Sequence, residues 1–295
     1  MSFEITTNFV EQYRSNLALL AQQTQARLRP AVMTEMVTGK TAWYDQVGTA
    51  AAQEITVRHA DTPVANIQHR RRRINLRPYN VAELIDGADR VRMLAEPGST
   101  YAQALNAAMN RTQDDLIVAC AFADAATGET GGTTVSFPAA NQVAVNSWKY
   151  GSGSGNAGLT VSKLIEAKTI LDAGEVEEEE RFIAVTSKQL GDLLATTEAT
   201  SSDFNTVQAL VSGKLDTFLG FKFIRLERLL TDGSSYRRVI AWQRKGIYLG
   251  IASDVVARVA ERSDKNHAMQ AYYEMTMGAS RVEEARLVEI KCLET

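Results

Sequence analysis

The clearest hydrophobic periodicity in the chain lies between positions 100 and 127. Apolar or small side chains return there every three or four residues, as on one helix face: Tyr101, Leu105, Met109, Thr112, Leu116 and Ala119. Pro97 and Gly98 precede Thr100, whose hydroxyl can cap the helix while Gln103 completes a capping box. The pattern predicts a helix of about 40 Å from Thr100 to Thr127, ended by Gly128, which suits a scaffold.

The sequence before this helix predicts an arm and a ribbon. Within residues 1–38 an apolar stripe predicts an amphipathic helix ended by Pro30, with these residues on one side: Phe9, Tyr13, Leu17, Leu20 and Leu28. Two long strands, Gln53–Ala60 and Ala65–Leu76, are predicted around the turn Asp61–Val64. Because much of this hairpin is polar on both faces, it needs another surface to pack against.

After the long helix, residues 129–158 are rich in turns, and a helix is predicted from Thr160 to Leu171, closed near Gly174. Phe182–Val185 predicts a short buried strand.

Two further helices and a strand are expected beyond it. Ser187 can cap a helix with three leucines inward, Leu190, Leu193 and Leu194. The next helix carries Val207, Leu210 and Val211 and ends at Gly213. A strand at Thr217–Leu226, bent at Gly220, and short strands after Arg237 complete a mixed α+β pattern.

Composition excludes several classes of protein. A net charge of −3 over 295 residues argues against a protein whose main task is to coat phosphates. The longest apolar run, Leu116–Ala123, is too short to span a bilayer, and the first residues lack the basic charge of a secretory signal, so cytoplasmic synthesis is expected. Two cysteines fit a reducing compartment, with Cys120 as a buried small hydrophobe.

Four consecutive arginines, Arg70, Arg71, Arg72 and Arg73, are the most unusual local feature. On a strand, Arg70 and Arg72 would point to one face and Arg71 and Arg73 to the other. Three interpretations stay open: phosphate contact, a solvated face, and ion pairs with carboxylates of an adjacent subunit. The last is favoured because arginine binds carboxylates bidentately and the ribbon lacks its own core.

The three histidines favour no metal site. His59 and His69 flank the hairpin turn, but no carboxylate or cysteine nearby completes a tetrahedral set, so both are assigned with the arginines to the predicted inter-subunit contact. No serine, cysteine or lysine has the neighbours of an activated nucleophile. We therefore expect no catalytic residue, no metal and no cofactor.

Two other motifs are interpreted as surface. Gly153, Gly155 and Gly158 match the dinucleotide fingerprint in spacing, but neither a buried strand before them nor an acid after the next strand accompanies them. A flexible loop is the favoured interpretation, because the surplus of glycines and serines from Gly151 on indicates mobility. Six acids, Asp172, Glu175 and Glu177–Glu180, predict a solvated surface, and a contact with the arginines in an assembled particle stays open.

Several blocks in the same order resemble a known family. They are V-S-G-K-L-D-T-F-L-G-F-K-F-I at 211–224, E-R-S-D-K-N-H-A-M-Q at 261–270 and G-A-S-R at 278–281. From about Trp43 onward the chain resembles the major capsid proteins of tailed bacteriophages, whose fold is named after phage Hong Kong ninety-seven. The resemblance implies an N-terminal arm at 1–38, an extended β-hairpin loop at 39–92, a peripheral domain with a long spine helix at 93–135 and 246–295, and an axial domain at 136–245.

The resemblance implies a structural protein that self-assembles as pentamers and hexamers into an icosahedral head around double-stranded DNA, without sequence-specific binding. The expected location is the virion, after assembly in the bacterial host cytoplasm. A portal is an expected partner, as is a separate scaffolding protein, since only about 38 residues precede the ribbon. A bacterial nanocompartment shell of the same fold, or a nucleic-acid-binding module, are the alternatives.

The family's namesake joins a loop lysine to an asparagine of a neighbouring subunit. This chain has no lysine from Thr41 to Val135, and Lys40 lies at the base of the loop. Non-covalent shells, giving a single subunit band after boiling in denaturant, are expected.

Overall fold

The structure, a computed structural model, describes residues 21–56, 58, 61, 64–85, 98–195, 217–234 and 236–294. Within them the helices are α1 Gly98–Phe122, α2 Val161–Ala173 and α3 Ser187–Ala195. The strands are β1 Met33–Met36, β2 Thr41–Val47, β3 His69–Asn75, β4 Arg77–Ile85, β5 Ala125–Thr127, β6 Thr133–Val135, β7 Gln142–Val143, β8 Arg181–Val185, β9 Thr217–Phe218, β10 Phe221–Arg225, β11 Arg237–Gln243, β12 Ile247–Arg262, β13 Ala268–Arg281 and β14 Leu287–Cys292. The predicted α+β class is confirmed.

A six-stranded mixed sheet in the order β7-β14-β11-β8-β10-β9 forms the largest core. Strand β11 lies antiparallel to both β14 and β8, so its buried side chains pack at the centre of the sheet. Trp242 is fully buried, and its Nε1 donates to the carbonyl of Ala31 at 2.9 Å. Strands β9 and β10 form a tight hairpin through Leu219 and Gly220, both with positive φ, which confirms the predicted bend.

The two shorter helices are capped by residues at their own ends. The Thr160 side chain accepts from the Lys163 N–H, and Gly174 closes α2, as predicted. At α3 the cap is Thr186, one residue before the predicted Ser187. Thr186 and Gln189 exchange side-chain and backbone hydrogen bonds of 3.4 and 3.0 Å, as in a capping box.

A second sheet, in the order β1-β12-β13-β4, is long and packs against α1. Strands β12 and β13 pair antiparallel from Ile247 and Arg281 to Arg262 and Ala268. The prediction of short strands after Arg237 was wrong for β12 and β13, which have 16 and 14 residues, whereas β11 and β14 have only 7 and 6. The pairing of β13 with both β12 and β4 extends the two long strands.

Helix α1 is shorter than predicted at its C-terminal end. It ends at Phe122, and β5 follows where the helix was expected to continue. Ala126 and Thr127 pair with β3, so sheet pairing overrides the local helical signal.

The third sheet has the order β2-β3-β5-β6 and contains the ribbon, defined here as strands β2 and β3. The predicted strand at Gln53–Ala60 was wrong: β3 pairs instead with Thr41–Val47, and residues 48–56 and 64–68 have no regular secondary structure. The reason is burial, since Tyr44 on β2 reaches the ring of Tyr248 at 5.5 Å, a contact that the Gln53 segment does not make.

The N-terminal segment differs from the predicted helix as well. Residues 21–28 contain no helix, and Arg29–Ala31 form one 3-10 turn. The carboxylate of Asp114 accepts backbone N–H groups of Arg27 and Leu28, each at 3.0 Å, which attaches this segment to α1. Leu28 is buried, so this part of the predicted arm belongs to the body.

Several predictions lie outside the described residues: the part of the arm helix at 1–20, the helix before Gly213, and the position of His59. The domain boundaries stay predictions. Sheet pairing places β14 with the strands of the predicted axial segment, and β4 with those of the predicted peripheral segment. No helix among the described residues is long and apolar enough to cross a membrane.

Candidate assembly surface

The ribbon separates the four arginines into two environments. In its antiparallel register the opposed pairs are Arg70 and Gln46, Arg71 and Asp45, Arg72 and Tyr44, Arg73 and Trp43. Residues opposite each other share a face, so Arg70 and Arg72 lie on the inner face, toward Tyr248 and Val282. Arg71 and Arg73 lie on the outer face. The alternation predicted from the sequence is confirmed.

Arg72 binds the body of its own subunit. Its Nε donates to the carbonyl of Val282 at 2.9 Å, and its Nη2 lies 2.7 and 2.8 Å from the carboxylate oxygens of Glu284. The Arg72 side chain is only 3% exposed, whereas that of Glu284 is 20% exposed. Gln46, also on the inner face, donates to the Val282 carbonyl at 3.1 Å. The inner face is therefore attached by directed polar contacts.

A second buried arginine lies on the other side of Glu284. Arg281 Nε is 3.4 Å from a Glu284 oxygen, and its Nη1 donates to the carbonyls of Ala121 and Ala123 at 3.0 Å each. Its Nη2 donates to the Val135 carbonyl at 2.8 Å. Burial lowers the pKa of the Arg281 guanidinium from its ordinary value. Arg281 thus joins Glu284 to the C-terminal end of α1.

On the outer face Arg71 makes an exposed pair. Its Nε and Nη2 lie 2.5 and 3.1 Å from the carboxylate oxygens of Asp45, and its guanidinium lies 5.2 Å from the ring centre of Trp43. The hydrogen bond from Arg71 holds the pKa of Asp45 below its usual value. Both partners are solvent-exposed, so this pair contributes little to stability.

Arg73 packs beside a tight turn. Its Nη1 donates to the Thr130 carbonyl at 3.2 Å. Gly131 has φ of 68°, and a Cβ at that position would lie 2.7 Å from Arg73 Cδ. The turn between β5 and β6 therefore requires glycine where the arginine passes.

Arg70 differs from its three neighbours, since it makes no ion pair or side-chain hydrogen bond with any described residue. It is exposed at the edge of a groove of about 680 Å³ between ribbon and body. Lys245, Glu283 and Arg286 line the opposite wall of this groove. His69 is exposed opposite Val47. Arg71, Arg72 and Arg73 thus have partners in their own chain, whereas Arg70 and His69 are exposed. The contact of these residues and His59 with a neighbouring subunit stays a prediction.

The acidic run is more paired than its prediction as a solvated surface implied. Asp172 binds the buried Arg181 at 2.6 Å, Glu180 binds Arg244 at 2.8 Å, and Glu177 binds Arg286. The hydrogen bond from Arg286 lowers the pKa of Glu177 to about 2. Local cations neutralise these carboxylates. Three further acids of the run, Glu175, Glu178 and Glu179, are exposed.

The glycine-rich loop at 151–158 is fixed by packing. Gly153 lies against Trp148, where a Cβ would be 2.3 Å from the indole, and Trp148 Nε1 donates to the Gly155 carbonyl at 2.9 Å. Lys163 Nζ donates to the Ala157 and Gly158 carbonyls at 2.7 and 2.9 Å. The loop's carbonyls therefore bind its own chain.

Other candidate chemistry is absent from the part of the chain that the structure describes, where no three His, Cys, Asp or Glu side chains cluster as metal ligands. Cys120 and Cys292 are both buried, and burial raises the pKa of each thiol to about 12. The interpretation of Cys120 as a buried small hydrophobe is confirmed.

The sequence did not identify Glu284 as the partner of Arg72, nor Arg281 as the second arginine that contacts Glu284. Glu284 is 212 positions from Arg72, and no local periodicity connects them. The available signal was Arg281 itself, the last residue of the G-A-S-R block, since a buried arginine requires a carboxylate nearby.

Comparison with solved structures finds the same fold in phage capsids. The capsid structure of cyanophage P-SCSP1u matches 95% of this chain and 92% of that chain, with a TM-score of 0.73 and 14% identity. The capsid of Ralstonia phage GP4 matches 95% and 94%, with a TM-score of 0.70 and 10% identity. Cyanophage Pam1 matches 94% of each chain, with a TM-score of 0.69 and 13% identity. A search of curated proteins finds no significant match.

The neighbours have the fold of tailed-phage major capsid proteins, which confirms the fold expected from the sequence. A family model described as phage capsid protein matches residues 5–294, almost the whole chain. The chain belongs to the phage capsid protein family.

Proposed function

We propose that this protein is the major structural subunit of a phage head, and that it assembles as pentamers and hexamers into an icosahedral shell around double-stranded DNA. The observation that carries the proposal is the family match over residues 5–294, on a chain with the tailed-phage capsid fold. Its role is structural, not enzymatic. The protein acts in the virion, after assembly in the host cytoplasm.

The shape of the subunit supports assembly. The ribbon leads into residues 48–68, whose described part is mostly exposed and includes two strongly exposed apolar side chains, Ile55 at 87% and Val64 at 91%. Exposed apolar side chains close together in the chain are available for contact with another protein. A second copy is the partner available to every subunit of a shell.

Arg70 and His69 are the residues proposed for an inter-subunit contact. Arg70 carries an uncompensated charge at the mouth of the groove, and carboxylates are the partners that arginine binds bidentately. The exposed acids Glu178 and Glu179 of a second copy have the required chemistry. A portal and a scaffolding protein are further proposed partners.

The test is to purify the full chain and to measure its mass by light scattering and its shape by electron microscopy. Closed particles or capsomers are expected. A sharp 32.3 kDa monomer at every concentration and salt would contradict the proposal. The contents of the particles distinguish a phage head from a nanocompartment. Double-stranded DNA in particles from infected cells supports a phage head, whereas a co-purified enzyme would support a nanocompartment. Salt-sensitive DNA binding by the free subunit would favour a nucleic-acid-binding module.

A further inference from the structure

The polar contacts at the inner face of the ribbon form one connected unit. Arg72 on β3, Glu284 after β13, and Arg281 at the end of β13 are consecutive partners, and all three side chains are mostly or fully buried. Arg281 in turn donates to the Ala121 carbonyl near the end of α1 and to the Val135 carbonyl at the end of β6. Glu284 is therefore the only carboxylate among the described residues that contacts both buried guanidinium groups.

We propose that Glu284 is a positioning residue that clamps the ribbon against the body of the subunit and so fixes the orientation of the ribbon. Only the expected effect of Glu284 on shell formation rests on the proposed function. The clamp itself is a property of the single chain.

The position of the clamp along the ribbon supports this role. Arg72 and Gln46 are the last inner-face residues that bind the body, through Glu284 and the Val282 carbonyl. Arg70, which lies opposite Gln46, has no partner among the described residues. Past the pair of His69 and Val47, the described residues 48–56 and 64–68 have no regular secondary structure. The contacts of Arg72 and Gln46 therefore lie close to the end of the ribbon.

The other attachments of the ribbon lie at its base and along β5. At the base β3 continues into β4, which pairs with β13, and a small apolar cluster includes Ile74 and Tyr248. Along β5 there are two residue pairs and the hydrogen bonds of Arg71 and Arg73 with the β5–β6 hairpin. On the inner face near Gln46, the contacts among described residues that restrain the ribbon are polar. Arg72 Nη2 contacts both carboxylate oxygens of Glu284 while its Nε donates to the Val282 carbonyl, so the guanidinium is held at two separate points and its orientation is restrained.

The strength of the clamp depends on charge. Without Glu284, two buried arginines would face each other without a carboxylate, and Coulomb repulsion would act directly between ribbon and body. The conservative change Glu284→Gln keeps the size of the side chain and removes this charge. Because Arg72 Nη1 is already buried without a partner, the site has little capacity to absorb the loss.

The experiment measures amide hydrogen exchange by mass spectrometry on the full chain, as wild type, Glu284→Gln and Asp45→Asn. Asp45→Asn is the matched control, since it removes the exposed arginine pair of the same ribbon. In Glu284→Gln we expect exchange about tenfold faster in β2 and β3, with β11 and β14 unchanged. In Asp45→Asn we expect less than about threefold change anywhere.

Equal protection of the ribbon in wild type and Glu284→Gln would overturn the proposal. If Glu284→Gln loses protection in β14 too, Arg72→Lys decides, because it keeps every charge and removes the guanidinium that binds Glu284 and the Val282 carbonyl together. Selective loss in the ribbon of Arg72→Lys supports the clamp, and unchanged protection overturns it.

Particle yield is the second readout. If wild type forms shells, Glu284→Gln should form fewer or misshapen ones, while Asp45→Asn forms normal ones. If wild type forms none, the proposed function fails and the exchange data still test the clamp.

Discussion

The six-stranded sheet and the ribbon are attached to the rest of the subunit by different interactions. In the six-stranded sheet, β11 is buried along most of its length between β14 and β8, and the hydrophobic effect stabilises the strands. In the ribbon, residues 71–74 of β3 alternate half-buried and buried positions, and three of these four side chains are arginines. Directed polar contacts supplement a small apolar cluster there.

The difference separates two tasks within one chain. A hydrophobic core is non-directional and tolerates small shifts, so it supplies stability to the subunit. Arginine–carboxylate contacts add little net stability after desolvation, but they fix geometry. A shell subunit needs both, because its neighbours must meet it at a defined angle.

A tryptophan in each region gives the largest expected contrast. Trp242 is 1% exposed in the core, and Trp43 is 38% exposed on the ribbon. Trp242→Ala should lower the free energy of unfolding by about 3–5 kcal/mol, through lost burial and the cavity left behind. Trp43→Ala should change it by less than about 1 kcal/mol. Urea denaturation of both variants checks this, and equal losses would remove the distinction between the regions.

The segment before β1 supplies a third kind of attachment. Asp114 is fully buried on α1 and accepts backbone N–H groups of Arg27 and Leu28, whereas Asp115 pairs with Arg228 at the surface. Asp114→Ala leaves two donors without an acceptor and should cost about 1–3 kcal/mol. Asp115→Ala should cost about 1 kcal/mol or less. Thermal unfolding compares the two, and a larger loss in Asp115→Ala would contradict the assignment.

The elements that the sequence predicted well are those with local signals. Helix α2 begins after Thr160 and ends before Gly174, because each capping residue hydrogen-bonds to a residue only a few positions away. The hairpin at Gly220 is local in the same sense, since a positive φ favours glycine.

The errors occurred where distant contacts decide the structure. The non-helical backbone at Arg27 is held by Asp114, 87 positions away, and the end of α1 depends on the pairing of the next residues with β3. The alternation of the arginines was predictable, because a period of two follows from any strand. Their partners were not, since Val282 lies 210 positions from Arg72.

Gly278 tests the junction of the two regions with a smaller expected effect. A Cβ there would lie 2.3 Å from the carbonyl oxygen of Asn75, at the end of β3, so Gly278→Ala must push ribbon and body apart. We expect a loss of about 1–3 kcal/mol, together with faster exchange in β3. Gly191→Ala on α3, with nothing within 4 Å of the new Cβ, is the control and should stabilise the subunit slightly. Equal stability of both variants would show that the junction tolerates separation.

Arg70 gives the smallest expected effect on the subunit and a distinct effect on assembly. Its side chain is exposed and unpaired among the described residues, so Arg70→Glu should leave the unfolding transition and circular dichroism unchanged. If a carboxylate of a second copy binds Arg70, the reversed charge repels it, and particle yield should fall. Each contact is weak alone, but it recurs in every subunit.

The matched control is Arg77→Glu, which reverses another exposed arginine, at the start of β4. Normal yield is expected there. Salt should weaken wild-type shells in parallel with the Arg70 effect, because partly hydrated pairs are screened beyond about 8 Å at physiological ionic strength. Normal shells from Arg70→Glu at low and high salt would assign Arg70 to the solvated surface. The proposed role of the arginine run in assembly would then rest on the contact of Arg72 with Glu284.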